Sequence, residues 1–356
     1  MRIALLGSVT SVIPPEGQAA IERLVFQEAI GLADRGHQIL LFAPSGSAVS
    51  HKNITLVEVA GKVLLSGQGK EGKVLEEETY GASYKLRLEV TNMARVLDEL
   101  VARKDEYDVI LNNLRSEAVV WSIASYLGKP VFHVMHLPLF PELSPLARSH
   151  NVHVISISEA QQKAFSDFPY VGTVYNAVDT DEFTFNPAPQ DYALYLGSIG
   201  KNKNPKDAIL AAKAAGIPMK IGGRIKDKTY YDTEIAPLID GNKIVWVGEL
   251  HPKDIIALYQ HAKAFLFPTL WQEPFGLVLI EAMSCGTPVI AYPNGAIPEI
   301  IEEGKNGFLV KSVEEMSQKI LQIDQIDRNT CRKTVEQKFS IAKMIDGYEK
   351  LLQAVM

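Results

Sequence analysis

The chain has 356 residues, 47% apolar and 22% charged, which excludes a disordered chain and at this length favours two domains over one. A net charge of −6 leaves no global basic field, so neither nucleic acid nor anionic lipid is an expected partner. The opening apolar run, Ile3-Ala4-Leu5-Leu6, is too short for a signal-peptide core and no stretch reaches bilayer length, so a cytoplasmic protein without stable membrane insertion is expected.

Short apolar runs alternate with helical patterns from end to end, which predicts an α/β fold with mostly parallel sheets. In the first half, 2–7, 38–43, 54–59, 109–111, 131–135 and 152–157 read as strands, and 20–33, 83–103 and 117–127 as helices. On the 83–103 helix, Lys85, Arg87, Arg95 and Arg103 are offset by Glu89, Asp98 and Glu99, leaving no polybasic face for lipid. Residues 179–191, with Pro187 and Pro189 among polar side chains, read as a linker. A second set follows, with strands at 192–196, 219–221, 244–247 and 264–267 alternating with helices at 205–215, 230–239 and 254–261, then a helix at 276–284 and a strand at 288–291. Two open α/β domains with a cleft between them are expected, ligands lying beyond the carboxyl ends of the strands. Cys285 and Cys331 make no CxxC pair, which fits a reducing compartment.

The most informative stretch is Pro268-Thr269-Leu270-Trp271-Gln272-Glu273-Pro274-Phe275-Gly276-Leu277-Val278-Leu279-Ile280-Glu281-Ala282-Met283. Pro274 suits a first helical position, where its missing N–H costs nothing. Gly276 lets another group approach the amides of that first turn. Such a helix start attracts phosphate through free N–H groups and the positive end of the dipole. Glu273 stands at its mouth, and Glu281 lies further in among apolar residues, where an unpaired carboxylate is expensive. Eight residues of helix rise about 12 Å, the order of the separation of the two sugars in a nucleotide-sugar. One acid for each sugar, with the diphosphate on the amides between, is the economical reading. Either acid alone also fits a glutamate hydrogen-bonded inside its own domain or a solvated acid near a helix start.

Other signals carry less. Gly67-Gln68-Gly69-Lys70-Glu71-Gly72-Lys73-Val74 nearly spells a P-loop, but Val74 replaces the hydroxyl that binds magnesium, and Glu71 with Glu76-Glu77-Glu78 repels phosphate. His133-x-x-His136 and His150-x-x-His153 lie in strand-like segments, where residues three apart face opposite sides, so neither pair reads as a metal site. Gly7-Ser8-Val9-Thr10 does not supply a dinucleotide fingerprint, and no Gly-x-Ser-x-Gly elbow occurs.

The run Glu-Pro-Phe-Gly-Leu-x-x-x-Glu-Ala-Met from Glu273, followed by Cys285-Gly286-Thr287-Pro288, resembles the donor-site signature of the retaining glycosyltransferases of family 4. The similarity covers nearly the whole chain. Gly17-Gln18-Ala19-Ala20-Ile21-Glu22 and Leu32-Ala33-Asp34-Arg35-Gly36-His37 correspond to the family's opening loop and helix end, with Ala19-Ala20 for a glycine pair. Pro130-Val131-Phe132-His133-Val134-Met135-His136 resembles the strand that presents a histidine to the transferred sugar, His136 being the match. Tyr175-Asn176-Ala177-Val178-Asp179 looks like the domain joint. In Leu196-Gly197-Ser198-Ile199-Gly200-Lys201-Asn202-Lys203, Lys203 matches the family's diphosphate-binding lysine, and Ser198 stands where an arginine is usual, with Lys201 as its candidate substitute. Ile221-Gly222-Gly223-Arg224 and Val247-Gly248-Glu249-Leu250 resemble strand ends near the nucleoside base.

The resemblance implies the GT-B architecture, two Rossmann-like domains with parallel sheets facing across a deep cleft. The acceptor-binding domain would be 1–178 and the donor-binding domain 179–340, with a helix at 341–356 crossing back onto the first. It implies transfer of a hexose from a nucleotide-sugar, a UDP-sugar such as UDP-glucose, to an acceptor hydroxyl on a saccharide, lipid-linked sugar or small molecule. Retention, no metal and no cofactor are implied with it. Lys203 and the amides of Phe275, Gly276 and Leu277 would stabilise the departing diphosphate, with Gly17, Ser198 and Arg224 nearby. Glu273 would hold the transferred sugar, Glu281 the ribose, and His136 the sugar from the opposite domain, closure excluding water. No carboxylate is placed as a covalent nucleophile, which favours front-face attack. A nucleotide-sugar epimerase or phosphorylase on the same fold, or a non-catalytic nucleotide-sugar-binding protein, are the alternatives.

Overall fold

The computed structural model describes residues 1–15, 17, 19–60 and 84–355, so the glycine-rich 67–74 segment lies outside the described residues. The chain divides into two compact units, one of residues 1–157, 162–174 and 344–356, the other of 158–161 and 175–343.

In the first unit, β1 (Arg2–Leu6), β2 (Gln38–Pro44), β3 (Ile54–Ala60), β4 (Val109–Asn112), β5 (Val131–Val134), β6 (His153–Ser156) and β7 (Tyr170–Thr173) form one sheet. Its order is β3-β2-β1-β4-β5-β6-β7, with all neighbours parallel. The connecting helices are α1 (Ala20–Asp34), α2 (Tyr84–Ala102), α3 (Glu117–Trp121), α4 (Ala124–Leu127), α5 (Leu143–Ser149) and α6 (Glu159–Ala164), whose residues 159–161 group with the second unit. Residues 3–6 and 39–43 are buried without alternation, as a parallel sheet covered on both faces requires. Register pairs Leu6 with both Phe42 and Asn112, so the carboxyl ends of β1, β2 and β4 are level. The succession of strands reverses between β1 and β4, the place where such sheets open a crevice.

In the second unit, β8 (Ala193–Leu196), β9 (Met219–Gly222), β10 (Ile244–Gly248), β11 (Ala264–Phe267), β12 (Val289–Ala291) and β13 (Gly307–Leu309) form a parallel sheet ordered β10-β9-β8-β11-β12-β13, reversing between β8 and β11. Its helices are α7 (Pro205–Ala215), α8 (Lys228–Tyr230), α9 (Pro252–His261), α10 (Leu277–Ser284), α11 (Ile297–Ile300), α12 (Val313–Gln322) and α13 (Arg328–Lys338), followed by α14 (Ile341–Val355). Pro205 opens α7, where no N–H is needed, and Gly216 ends it in the left-handed region at φ +73°. Ser312 and Asp327 cap α12 and α13, accepting from Glu315 N at 3.2 Å and Asn329 N at 3.0 Å. Residues 344–356 of α14 and beyond belong to the first unit. There Arg35 pairs with Asp346 at 2.7 Å and Glu349 at 3.0 Å, and Leu351 packs so closely over Gly172 that a Cβ would meet it at 2.7 Å.

The helical expectations need correction in three places. The 117–127 helix is broken into α3 and α4, because Ser122 Oγ donates to Val119 O at 2.8 Å and competes for a helix carbonyl. The 230–239 helix is α8, a π turn at Tyr231–Ile235 and a 3-10 turn at Ala236–Leu238, where Pro237 offers no N–H to continue the α ladder. Pro274 is not a helical residue and Gly276 is not in the first turn: α10 begins at Leu277, with Gly276 before it at φ +107°. Of each histidine pair only one lies in a strand: His133 in β5, with His136 beyond its end, and His153 at the start of β6, with His150 after α5. The edge strands β7 and β13 and the helices α5, α6 and α11 to α13 are not among the expected elements; both strands are short and contain a glycine, Gly172 or Gly307.

Candidate functional site

In the second unit the loops leaving β8 and β11, neighbours in the sheet, are stitched together. Leu270 N and Thr269 Oγ1 donate to Asn202 O at 2.8 and 3.1 Å, and Asn204 Nδ2 donates to Pro268 O at 3.2 Å. Asn204 sits in the left-handed region at φ +51°, and the amides of Lys203 and Asn204 both reach Gly200 O at 3.1 Å. This fold of the loop aims Lys203 at Glu273: Nζ donates to Oε2 at 2.5 Å, and Trp271 Nε1 donates to the same oxygen at 2.7 Å. The Lys203 ammonium also lies 5.0 Å from the Trp271 ring centroid and 5.4 Å from that of Phe267. The side chains are only 23% and 11% exposed, so this pair is sheltered from full solvent screening.

Backbone packing holds Glu273 in place. Ala296 N donates to Glu273 O at 2.9 Å and Gly295 N to Gln272 Oε1 at 2.9 Å. Gly295 lies at φ +67°, and a Cβ there would stand 2.2 Å from Glu273 O, so only glycine fits. Phe275 is buried between Tyr175 and Phe339, at centroid distances of 6.0 and 5.8 Å. Gly276 precedes α10 without a side-chain cap, and the first amides of a helix, here those of Leu277 and Val278, have no acceptor within it. Glu281, half-buried in the second turn of α10, accepts from Tyr259 Oη at 3.1 Å. Burial, then the Glu281 charge, pushes the Tyr259 hydroxyl far above its ordinary range. The separation of Glu273 from Glu281 is not a run of helix rise, because residues 273–276 are non-helical.

Ser198 follows β8 and is half-buried, its carbonyl accepting from Tyr195 Oη at 3.2 Å. Arg224 follows β9, is exposed, and is tied by its backbone to Ile199 N at 2.9 Å. Gly17, in the first unit, is exposed, with no described atom within 4 Å of where a Cβ would be. The structure thus brings Lys203 and Glu273 into direct contact with each other and with Trp271, which sequence reasoning missed although it lies two residues from Glu273. Tyr259, equally unexpected, gave no local signal: its partner Glu281 is 22 positions away.

In the first unit His136 lies just beyond β5, half-buried, its Nε2 2.7 Å from Asn113 Oδ1. Burial, then the Arg115 charge, lowers His136 to about 3, so the imidazole is neutral. At the β1–β4 reversal a cavity is lined by Ser8, Thr10, Glu22, Glu89, Asn113 and Arg115, among others. Glu22 is wholly buried there: Oε1 accepts from Ser8 Oγ at 2.9 Å and Thr10 Oγ1 at 3.3 Å, and Oε2 lies 3.5 Å from the Arg115 guanidinium. Among the described residues no cluster of three His, Cys, Asp or Glu is arranged to hold a metal ion, and no helix is long and apolar enough to cross a membrane.

Residues 179–338 match the family model "Glycosyl transferases group 1". A probable sucrose-phosphate synthase of Thermosipho melanesiensis is 29% identical over 218 residues, 58% of this chain and 51% of that protein. The chain spans about half the length of the curated relatives it matches in this way, or less. The glycosyltransferase AviGT4, involved in avilamycin A biosynthesis, superposes with a TM-score of 0.72 at 18% identity, covering 99% of this chain and 98% of that one. Anabaena Alr3699/HepE, solved with UDP and glucose, gives 0.69 at 21% identity over 99% of both chains. Residues 179–338 thus match the group 1 glycosyl transferases, and the two parallel sheets are those of the GT-B fold.

Proposed function

We propose that the protein is a retaining, metal-independent cytoplasmic glycosyltransferase that moves a hexose from a nucleotide-sugar to an acceptor hydroxyl. The donor is a UDP-sugar such as UDP-glucose; the acceptor is a saccharide, a lipid-linked sugar or a small molecule. The observation that carries this reading is the Lys203–Glu273 pair held before the open amides of α10. A lysine charge beside a helix N-terminus suits a leaving diphosphate. Glu273, adjacent to it, suits the hydroxyls of the sugar being transferred. Glu281 takes the ribose, and His136, in the first unit, takes a sugar hydroxyl. HepE, whose solved complex holds UDP and glucose, supports the choice of base and sugar.

The test is product analysis with a panel of UDP-, GDP- and ADP-sugars, with and without acceptor, in the presence of a chelator. Transfer or slow hydrolysis of a UDP-sugar supports the reading, while conversion of the donor without acceptor into an epimer would replace it. Ser198, standing where the family has an arginine, favours a second reading as a nucleotide-sugar-binding protein, which binding without transfer or hydrolysis of any donor would establish.

A further inference from the structure

Four side chains from distant parts of the first unit form one hydrogen-bonded chain. Tyr348 on α14 donates its hydroxyl to Glu28 Oε1 at 2.9 Å. Asn113, directly after β4, donates Nδ2 to Glu28 Oε2 at 2.8 Å, and its Oδ1 lies 2.7 Å from His136 Nε2. Tyr348 and Glu28 are wholly buried and Asn113 is nearly so; His136 alone is half-buried. Among the described residues Nδ1 of His136 has no hydrogen-bond partner.

The donors and acceptors in this chain are not interchangeable. An ionised carboxylate only accepts, so Glu28 has to meet the nitrogen of the Asn113 amide. The amide oxygen then faces His136, and Nε2 has to carry a hydrogen. A neutral imidazole with Nε2–H presents Nδ1 as an acceptor. Burying a carboxyl costs free energy where an apolar side chain would stabilise, and packing alone gives no reason for a glutamate at the centre of α1.

We propose that Glu28, held by Tyr348 and acting through Asn113, is a positioning residue that fixes His136 as the Nε2–H tautomer, so that Nδ1 accepts from a substrate hydroxyl. The tautomer follows from this order of donors and acceptors while Glu28 is ionised; the substrate half rests on the reading of His136 as a sugar ligand. On that reading the site selects sugars with a hydroxyl hydrogen at the position facing His136, and rejects those with a hydrogen atom or methoxyl there.

The experiment is ¹⁵N NMR of the histidine side chains in the full chain, His136 being assigned by its loss in His136→Phe. Spectra are taken at a pH above about 8, where Glu28 is ionised. The parent is expected as the pure Nε2–H form. Asn113→Leu and Glu28→Leu are expected to give a mixture of tautomers. A parent in the Nδ1–H form overturns the proposal whether or not the variants fold, and so does a folded Asn113→Leu with an unchanged spectrum. In the second arm, UDP-sugars deoxygenated at single positions are compared with the parent sugar. One position is expected to lose at least tenfold in kcat/KM, and the loss is expected to vanish in His136→Ala. If the NMR result holds and no position shows that dependence, the positioning role stands and the sugar-ligand reading of His136 falls.

Discussion

Lys203 donates to Glu273, so a phosphate at that ammonium has to compete with a carboxylate. Glu273→Ala removes the competitor: UDP is expected to bind at least as tightly by calorimetry, while sugar transfer falls. Lys203→Ala is expected to slow transfer roughly a hundred- to thousand-fold, the usual loss for one oxyanion contact; unchanged turnover would put the phosphate contact elsewhere. Glu281→Ala is expected to weaken UDP binding itself, with the fold intact by circular dichroism. At this scale the sequence shows residue types but not partners. The acids and the lysine stand out from their motif, yet the 70 positions between Lys203 and Glu273 hide their pairing. The Glu28–Asn113–His136 chain was hidden in the same way, since nothing marks Glu28 within an ordinary amphipathic helix.

Gly276 decides where α10 begins, and so which amides are open. At φ +107° an alanine is strained, and its Cβ would stand 3.0 Å from Leu279 Cδ1. Gly276→Ala is expected to cost about 1–2 kcal/mol in a denaturant titration and to weaken UDP binding by reshaping that first turn. Unaltered UDP affinity would show that the α10 amides are not the phosphate site. Elements of this kind were legible where one local rule dominated: α7 runs from its proline to its glycine as expected. They were misread where a rule had two uses. Pro274 fits a first helical position but also the extended turn it occupies, and only the glycine conformation two residues later separates the two. Edge strands such as β13 are too short to show a period, and pairing with β12 rather than their own pattern makes them strands.

Across the whole first unit, buried titrating groups set opposed pH dependences. His133 and His136 are lowered to about 3 from 6.5 by burial first, His133 also by His136 and His136 by Arg115. The unfolded chain takes up their protons first, so stability falls as pH drops from about 6.5 toward 3. Glu28 is raised from 4.5 to about 8 by burial, against hydrogen bonds from Tyr348 and Asn113, so its contribution is present below 4.5 and lost as pH rises through 8. Urea midpoints of the first unit's transition are expected to peak near pH 6.5. The alkaline limb should flatten in Glu28→Gln and the acid limb in His133→Phe, which keeps a ring edge-on to Trp121. An alkaline limb unchanged in Glu28→Gln would refute the assignment. The two-domain plan was legible from alternation alone; the boundaries were not, because α14 joins a sheet whose strands end about 170 residues earlier.

That return of α14 imposes an order of events during synthesis. When residue 174 leaves the ribosome, the first unit has all seven strands but lacks Tyr348 over Glu28 and Leu351 over Gly172. The intervening 175–343 are made before the missing helix emerges, so the earlier-synthesised unit is completed last. A chain ended at residue 174 should then remain protease-sensitive until a peptide of residues 341–355 is supplied in trans, and full protection without that peptide would show that the helix only decorates a unit already finished.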